Sequence, residues 1–233
     1  MSLLTSFRES SGGAITTPAL NRAHGDASDD EFRRIKWHFL AHAGAELSSG
    51  KNPRVILITS ALPGEGKSFV SHRLAANFAL DPQLELTLID ADFDSPALGS
   101  SSWMGGSSGG PGLLDYLEGD GTNQASIVKS TGLANVKVIL SGSSRDHAPE
   151  LFANGRLEGL LASLTGGANR FVIMDAGPVL TNGGAAVLGR YAGQIGFVLA
   201  SNSTGRSEIN QALAALDRIA GPIEEKFLGL IFN

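Results

Sequence analysis

The chain has 233 residues, 42% of them hydrophobic and 18% charged, which suits one large globular domain with an ample core. The net charge is −5 and no block of Lys and Arg occurs, so a nucleic-acid-binding surface is not expected. The absence of cysteine excludes disulfides, thiolate metal sites and a cysteine nucleophile. No apolar run approaches the ~20 residues of a membrane span, and no signal-peptide pattern opens the chain. We therefore expect a cytoplasmic protein without direct membrane insertion, reaching the inner face of a membrane only through a partner.

The N-terminal part predicts a flexible tail followed by a helix. Residues 1–27 are rich in Ser, Gly, Thr and Asn and show no apolar periodicity, which predicts the tail. Apolar residues recur at helical spacing over residues 28–48, which predicts the helix. Asp30, Arg33 and Lys36 lie three apart on it. This pattern is typical of a solvated charged face, and the alternative is a contact helix between subunits.

The rest of the chain alternates apolar strands with helices. Most of these strands are apolar on both faces, which is typical of a parallel sheet buried on both sides. The predicted fold class is therefore α/β, a mostly parallel β-sheet covered by helices on both faces, with residues 28–233 forming one domain. The predicted strands span residues 55–59, 84–89, 136–140, 171–174, 194–200 and 227–232, and the predicted helices span 69–80, 113–118, 150–164 and 204–219. Thr204 is the predicted cap of the last helix.

One stretch, Val55–Ser68, carries the strongest chemical signal. Its sequence VILITSALPGEGKS runs from β-formers through a glycine-containing turn to a Lys-Ser pair that opens a helix. Strand, loop and helix in this order form a phosphate-binding loop, in which backbone N–H groups and the helix dipole face phosphate oxygens. Lys67 would reach the β- and γ-phosphates, and the Ser68 hydroxyl would bind Mg²⁺. The alternative is a glycine turn that happens to contain Lys-Ser.

Two later strands end in acidic residues. Asp90 and Asp92 follow the strand at 84–89, and Asp175 follows the strand at 171–174. Ligands of parallel sheets bind outside the carboxyl ends of the strands, where the phosphate loop also lies. Carboxylates at this edge could hold Mg²⁺ or its waters, and one could accept a proton from the attacking nucleophile. The alternative for each is an ordinary turn aspartate, and Asp92 is the most open to that interpretation.

These motifs together resemble the cytoplasmic domain of the bacterial tyrosine kinases that accompany capsule and exopolysaccharide synthesis. The phosphate-loop segment SALPGEGKS, the second acidic motif LTLIDADFDSPAL, the strand-end motif FVIMDAGP and the terminal GLIFN all have counterparts there. The resemblance covers residues 28–233. It implies a P-loop NTPase fold of the type found in partition and division-site (MinD/ParA-like) ATPases, with ATP and Mg²⁺ as cofactors.

The resemblance also implies roles for individual residues. Lys67, Asp90 and Asp92 would be catalytic, with Asp90 as the base for the attacking hydroxyl. The metal would lie among Ser68, Asp92 and Asp175. The nucleotide would contact Asn233 near its base and the loop residues Pro63, Gly64, Glu65, Gly66, Lys67, Ser68 and Phe69.

The same resemblance implies two kinds of partner. The row Asp30, Arg33 and Lys36 is similar to the family's subunit-contact motif, so we expect a homo-oligomer that assembles through the helix at 28–48. A membrane polysaccharide co-polymerase or activator protein is the expected second partner.

Two features separate this sequence from its family pattern. Asp94 occupies the place of an arginine in the second acidic motif, and the only tyrosines are Tyr116 and Tyr191, without the C-terminal tyrosine cluster on which the family phosphorylates itself. Leu62 stands where partition-type ATPases carry a signature lysine, which favours the kinase branch. The primary hypothesis is a tyrosine-kinase-like ATPase. A regulatory switch that binds ATP without phosphorylating tyrosine is the alternative, and a partition-type ATPase is a weaker one.

Overall fold

The computed structural model describes residues 25–44, 47, 50–98, 110–119, 121–143, 147–181, 183–201 and 204–233. Most of the tail predicted at 1–27 lies outside them. The first described helix, α1, spans Gly25–His42, so it begins three residues earlier and ends six residues earlier than the predicted helix at 28–48. Within the described residues, no helix is long and apolar enough to cross a membrane.

The described part of the chain contains seven strands: β1 (Val55–Ser60), β2 (Glu85–Ala91), β3 (Lys129–Ser130), β4 (Val136–Ile139), β5 (Arg170–Ala176), β6 (Gln194–Leu199) and β7 (Phe227–Phe232). They form one sheet with the order β3-β4-β2-β5-β1-β6-β7. All neighbouring strands pair in parallel except β3 and β4. The mostly parallel α/β sheet predicted from the sequence is thus confirmed.

Helices cover both faces of the sheet. Helix α1 and the helix at Lys67–Ala79, α2, contribute Phe32, Phe39 and Leu74 to the core on one face, where they meet Ile56 and Ile58 of β1. The alternate residues of β1 point to the other face, which is covered by helices later in the chain. The helices after α1 are α2 (Lys67–Ala79), α3 (Leu113–Glu118), α4 (Gln124–Ile127), α5 (Ala148–Phe152), α6 (Arg156–Leu164), α7 (Gly184–Leu188) and α8 (Arg206–Ala220).

Two helix predictions were wrong in detail. The single helix expected over residues 150–164 is split into α5 and α6, because Gly155 adopts a left-handed conformation with φ 80° between them. Thr204 does not cap α8, whose N-cap residue is Gly205 without a side-chain hydrogen bond. The Thr204 hydroxyl donates instead to Glu65 in the phosphate loop.

The two outer strands of the sheet are irregular. At one edge, β3 has two residues and pairs antiparallel with β4. At the other edge, the pairing of β7 with β6 shifts between Ile195 and Gly196, and Gly229 of β7 has a φ of 143°. The carboxyl ends of the central strands β2, β5 and β1 lie between these edges and carry the predicted site.

Candidate nucleotide-binding site

The loop between β1 and α2 turns on two glycines. Gly64 and Gly66 have φ angles of 78° and 92°, which side chains with a Cβ rarely adopt. A Cβ on Gly66 would also collide with the side-chain amide of Asn233, whereas no atom lies within 4 Å of the Cβ position of Gly64. The loop is therefore packed on the Asn233 side and open at the exposed residues Pro63 and Gly64.

Helix α2 begins with the residues predicted to bind phosphate. Lys67 is its first residue, and no side chain caps its N-terminus among the described residues. The Lys67 side chain is buried, and its Nζ lies 3.8 Å from Oδ2 of Asp92. An uncapped helix N-terminus beside a lysine favours an anion, because N–H groups and the helix dipole both point toward it.

The acidic strand ends meet next to this loop. Asp90 and Asp175 are partners in the register of β2 and β5, so their side chains lie on the same face of the sheet. Both residues are almost fully buried, as is Asp92. Asp90 Oδ2 accepts a hydrogen bond from the Leu98 backbone N–H at 3.1 Å. Asp90 Oδ1 and Asp175 Oδ2 find no hydrogen-bond partner among the described residues.

Burial gives these carboxyl groups unusual acidities. Desolvation and then the charge of Asp175 raise the pKa of Asp90 to about 7. Desolvation also raises the pKa of Asp175 to about 6. The neighbouring Ser68 and Ser71 hydroxyls and the charge of Lys67 lower the pKa of Asp175, but their effect is smaller than that of desolvation. A carboxyl group with a pKa near neutrality is suited to general-base chemistry, because it can both take up and release a proton.

Ser68 and Ser71 connect α2 to the end of β5. The Ser71 hydroxyl donates to Asp175 Oδ1 at 3.1 Å, and the Ser68 side chain also acts to lower the pKa of the Asp175 carboxyl group. Ser71 lies three residues after Ser68, on the same face of α2. Ser71 was not among the predicted site residues, although its helical spacing from Ser68 indicates that the two hydroxyls share a face.

The remaining predicted loop residues occupy different surroundings. The Phe69 ring is exposed and packs edge-on against Phe32 of α1, 6.0 Å between centroids, so only its backbone faces the loop. Glu65 is 2% exposed, and its carboxylate accepts a hydrogen bond from the Leu62 N–H. Asn233 Nδ2 donates to the backbone oxygen of Glu65 at 3.1 Å. The structure therefore brings Asn233 to the phosphate loop.

These residues fit a magnesium nucleotide. The open loop and Lys67 suit the phosphates, and the two carboxylate oxygens without partners suit a cation or its waters. Among the described residues, no group of three acidic or histidine side chains is placed to hold a metal by itself. Ser68, Asp92 and Asp175 would consequently hold Mg²⁺ together with phosphate oxygens and water. A protein-bound Mg²⁺ ion normally retains several of its water ligands.

The strand–loop–helix unit and the acidic strand ends define a P-loop NTPase. No protein-family model matches the chain. The chain is 32% identical to tyrosine-protein kinase YwqD of Bacillus subtilis over 186 residues. The matched residues make up 80% of this chain and 74% of that relative. The chain belongs to the bacterial tyrosine-protein kinase family. It is 29% identical to tyrosine-protein kinase wzc of Salmonella typhimurium over 179 residues, but these cover only 24% of that longer relative.

Solved structures agree with this assignment. The BceF tyrosine kinase domain superposes with a TM-score of 0.73 at 30% identity, covering 92% of this chain and 79% of that domain. The septum site-determining protein MinD from Pyrococcus horikoshii, complexed with Mg-ADP, superposes with a TM-score of 0.58 at 22% identity over 77% of this chain and 70% of that chain. The second likeness shows the fold alone and confirms the predicted MinD/ParA-like architecture.

Proposed function

We propose that the chain is a magnesium-dependent ATPase and phosphotransferase of the tyrosine-kinase type, acting in exopolysaccharide or capsule biosynthesis. The observation that carries this proposal is the convergence of Lys67, Asp90 and Asp175 beside one glycine loop at the carboxyl edge of the sheet. The polysaccharide pathway rests on the sequence motifs and on the family to which the chain belongs.

Each residue of the site has a distinct role in this proposal. Lys67 would exchange its contact with Asp92 for the β- and γ-phosphates, and Asn233 would lie beside the base. Asp90, with its pKa near neutrality, would accept the proton of the attacking hydroxyl. Asp92, Asp175 and Ser68 would surround the metal. When bound, Mg²⁺ neutralises charge on the phosphates and thereby eases attack by the nucleophile.

The environments of the two tyrosines favour a phosphate acceptor on another molecule. Tyr116 belongs to α3, is half-buried and packs under the Arg156 guanidinium, 5.1 Å from its ring centroid. Tyr191 is also half-buried and lies in the turn after α7 rather than in a helix. Neither tyrosine is fully exposed. A membrane polysaccharide co-polymerase that acts as an activator is the proposed partner and the natural place to look for the acceptor.

We also propose that copies of the chain assemble through α1. Arg33 and Trp37 are exposed on this helix, and a large exposed aromatic residue is typical of an interface centre. Lys36 does not belong to this surface. It is buried, and its Nζ donates to the Asn77 backbone oxygen at 3.2 Å, so the predicted contact row keeps only Asp30 and Arg33 at the surface.

The alternative function is an ATP-dependent switch that does not phosphorylate tyrosine. It is favoured by Asp94, an exposed anion where the family motif has an arginine, because a negative charge there weakens attraction for a polyphosphate.

The two functions differ in one measurement, phosphotyrosine formation. We would incubate the purified chain with Mg-ATP, with and without the co-polymerase, and detect phosphotyrosine and released phosphate. The kinase proposal predicts phosphotyrosine on the partner, lost in Asp90→Asn and retained in the Tyr116→Phe/Tyr191→Phe double variant. ATP hydrolysis without phosphotyrosine on either protein would establish the switch instead.

A further inference from the structure

Glu65 is a buried acid in the middle of a loop that is built for anions. It stands between Gly64 and Gly66, two residues before Lys67, and its side chain is 2% exposed. A carboxylate directed into the phosphate site would repel the ligand, and a buried carboxylate is costly unless it accepts hydrogen bonds. Its contacts therefore decide what it does.

The Glu65 carboxylate accepts hydrogen bonds from its own loop and from a segment that is distant in sequence. Oε2 accepts from the Leu62 N–H at 2.6 Å, within the loop itself. Oε1 accepts from the Thr204 hydroxyl and, at 3.4 Å, from the Ala200 N–H. Ala200 and Thr204 belong to the connection between β6 and α8, so one carboxylate joins the phosphate loop to that connection.

The backbone of the same residue is tied to the last strand. Asn233 donates from its side chain to the Glu65 oxygen and from its N–H to the Leu199 oxygen, at 3.1 and 2.8 Å. The Ser201 N–H in turn donates to the Asn233 oxygen at 2.9 Å. The phosphate loop and the ends of β6 and β7 thus form one hydrogen-bonded unit with Glu65 at its centre.

We infer that Glu65 is a positioning residue, which fixes the phosphate loop against the β6–α8 connection through Thr204 and so sets nucleotide affinity. The inference rests on the proposed nucleotide site. With the anchor in place, the loop N–H groups are ordered before the phosphates arrive. Without it, binding must itself order the loop, which weakens affinity. Lys67 and Asp90 keep their own contacts, so the chemical step is spared.

The sharpest test changes only the hydroxyl that meets the carboxylate. Thr204→Val removes the hydroxyl and keeps the branched shape, whereas Thr204→Ser keeps the hydroxyl and serves as the matched control. We expect Thr204→Val to weaken ADP and ATP binding by about tenfold in calorimetry, the loss typical of one charge-assisted hydrogen bond. KM for ATP should rise by a similar factor, with kcat within about twofold, and Thr204→Ser should resemble the unmodified chain.

A double-variant cycle tests the pairing itself. Glu65→Gln removes the negative charge from this hydrogen bond and should weaken binding, and adding Thr204→Val to it should cause less loss than Thr204→Val causes alone, because both changes act on the same contact. Additive losses, an unchanged Kd in Thr204→Val, or a fall in kcat at constant KM would overturn the inference. Failure of the nucleotide site itself is distinguishable, since Lys67→Ala would then bind nucleotide as well as the unmodified chain does.

Discussion

At the level of single residues, the Lys67 ammonium group and the Asp92 carboxylate are buried together at the base of the phosphate loop. Their 3.8 Å separation is longer than a direct hydrogen bond, so neither group is tightly held by the other. In the proposed site, a phosphate oxygen would therefore replace Asp92 as the partner of Lys67 without breaking a strong contact.

Replacing Lys67 by alanine should remove most of the affinity for nucleotide. The loss of a buried cation beside phosphates is expected to weaken Mg-ATP binding by roughly 100-fold or more, about 3 kcal/mol, in calorimetry. Lys51→Ala is the control, since Lys51 lies at the surface and pairs with Glu158 at 3.3 Å. Equal affinity of the Lys67 variant and the control would refute the site assignment.

The sequence predicted which residues meet at one edge of the sheet better than it predicted their contacts. Lys67, Asp90 and Asp175 were predictable because each follows an apolar strand, and parallel strands end at one edge. The contact of Glu65 with Thr204 was not predictable, because it joins segments that lie 139 residues apart and that only the folded sheet brings together. Thr204 was read as a helix cap, a local role that its sequence position equally allows.

At the level of secondary-structure elements, α1 is joined to the domain by its buried face. Phe32, Ile35 and Phe39 enter the core, and the buried amine of Lys36 binds the Asn77 oxygen of α2. Burial lowers the pKa of Lys36. The opposite side of the helix carries Arg33, which binds Asp30 at 2.8 Å on the exposed surface.

Reversing the charge of Arg33 tests assembly through this exposed side. Arg33→Glu places an anion next to Asp30 and should reduce the size of any oligomer, measured by light scattering coupled to size exclusion. Arg34→Glu makes the same charge change at the adjacent exposed position of α1 and is the control. An oligomer that is unaltered in the Arg33 variant, or equally disrupted in both, would argue against the proposed contact.

Periodicity located most of the elements but missed the short elements β3, α4 and α7 and one break between helices. The strand at Phe227–Phe232 was predicted at its observed bounds, because its apolar run is short and flanked by polar residues. The interruption between α5 and α6 was missed, since apolar spacing continues across it. There the Asn154 side chain accepts from the Arg156 N–H and donates to the Leu117 oxygen, contacts that local sequence does not reveal.

At the level of the whole molecule, the site carries a cost in stability. Asp90 and Asp175 are buried as neighbours on adjacent strands, and each has an oxygen without a hydrogen-bond partner among the described residues. Ionising such groups in the folded protein is unfavourable, so the nucleotide-free site opposes folding above the pH at which they titrate.

Stability should therefore depend on pH through Asp90. The pKa of Asp90 is raised from 3.8 to about 7 in the folded protein, so the unfolded chain loses the Asp90 proton at a lower pH than the folded chain does. The free energy of unfolding therefore falls as the pH rises from about 4 to 7 and is constant above that range. Asp90→Asn removes the titration. We expect it to be more stable than the unmodified chain at pH 8, by on the order of 2–4 kcal/mol in urea unfolding without nucleotide.

The same comparison at pH 4.5 provides the control, because the folded chain then keeps Asp90 protonated and most of the advantage should vanish. A stability difference that is equal at both pH values would show that Asp90→Asn acts through packing rather than through charge.

The outer strands of the sheet determine how copies of this chain can meet. A parallel sheet with long, regular edge strands could pair with a strand from another molecule and grow without limit. Here one edge strand is the two-residue β3, which is antiparallel to its neighbour, and the other is β7, whose register with β6 shifts between Phe227 and Gly229. Short and bulged borders resist such additions. We therefore expect concentrated solutions to remain free of strand-by-strand polymerisation, with any association confined to closed assemblies built from helix surfaces.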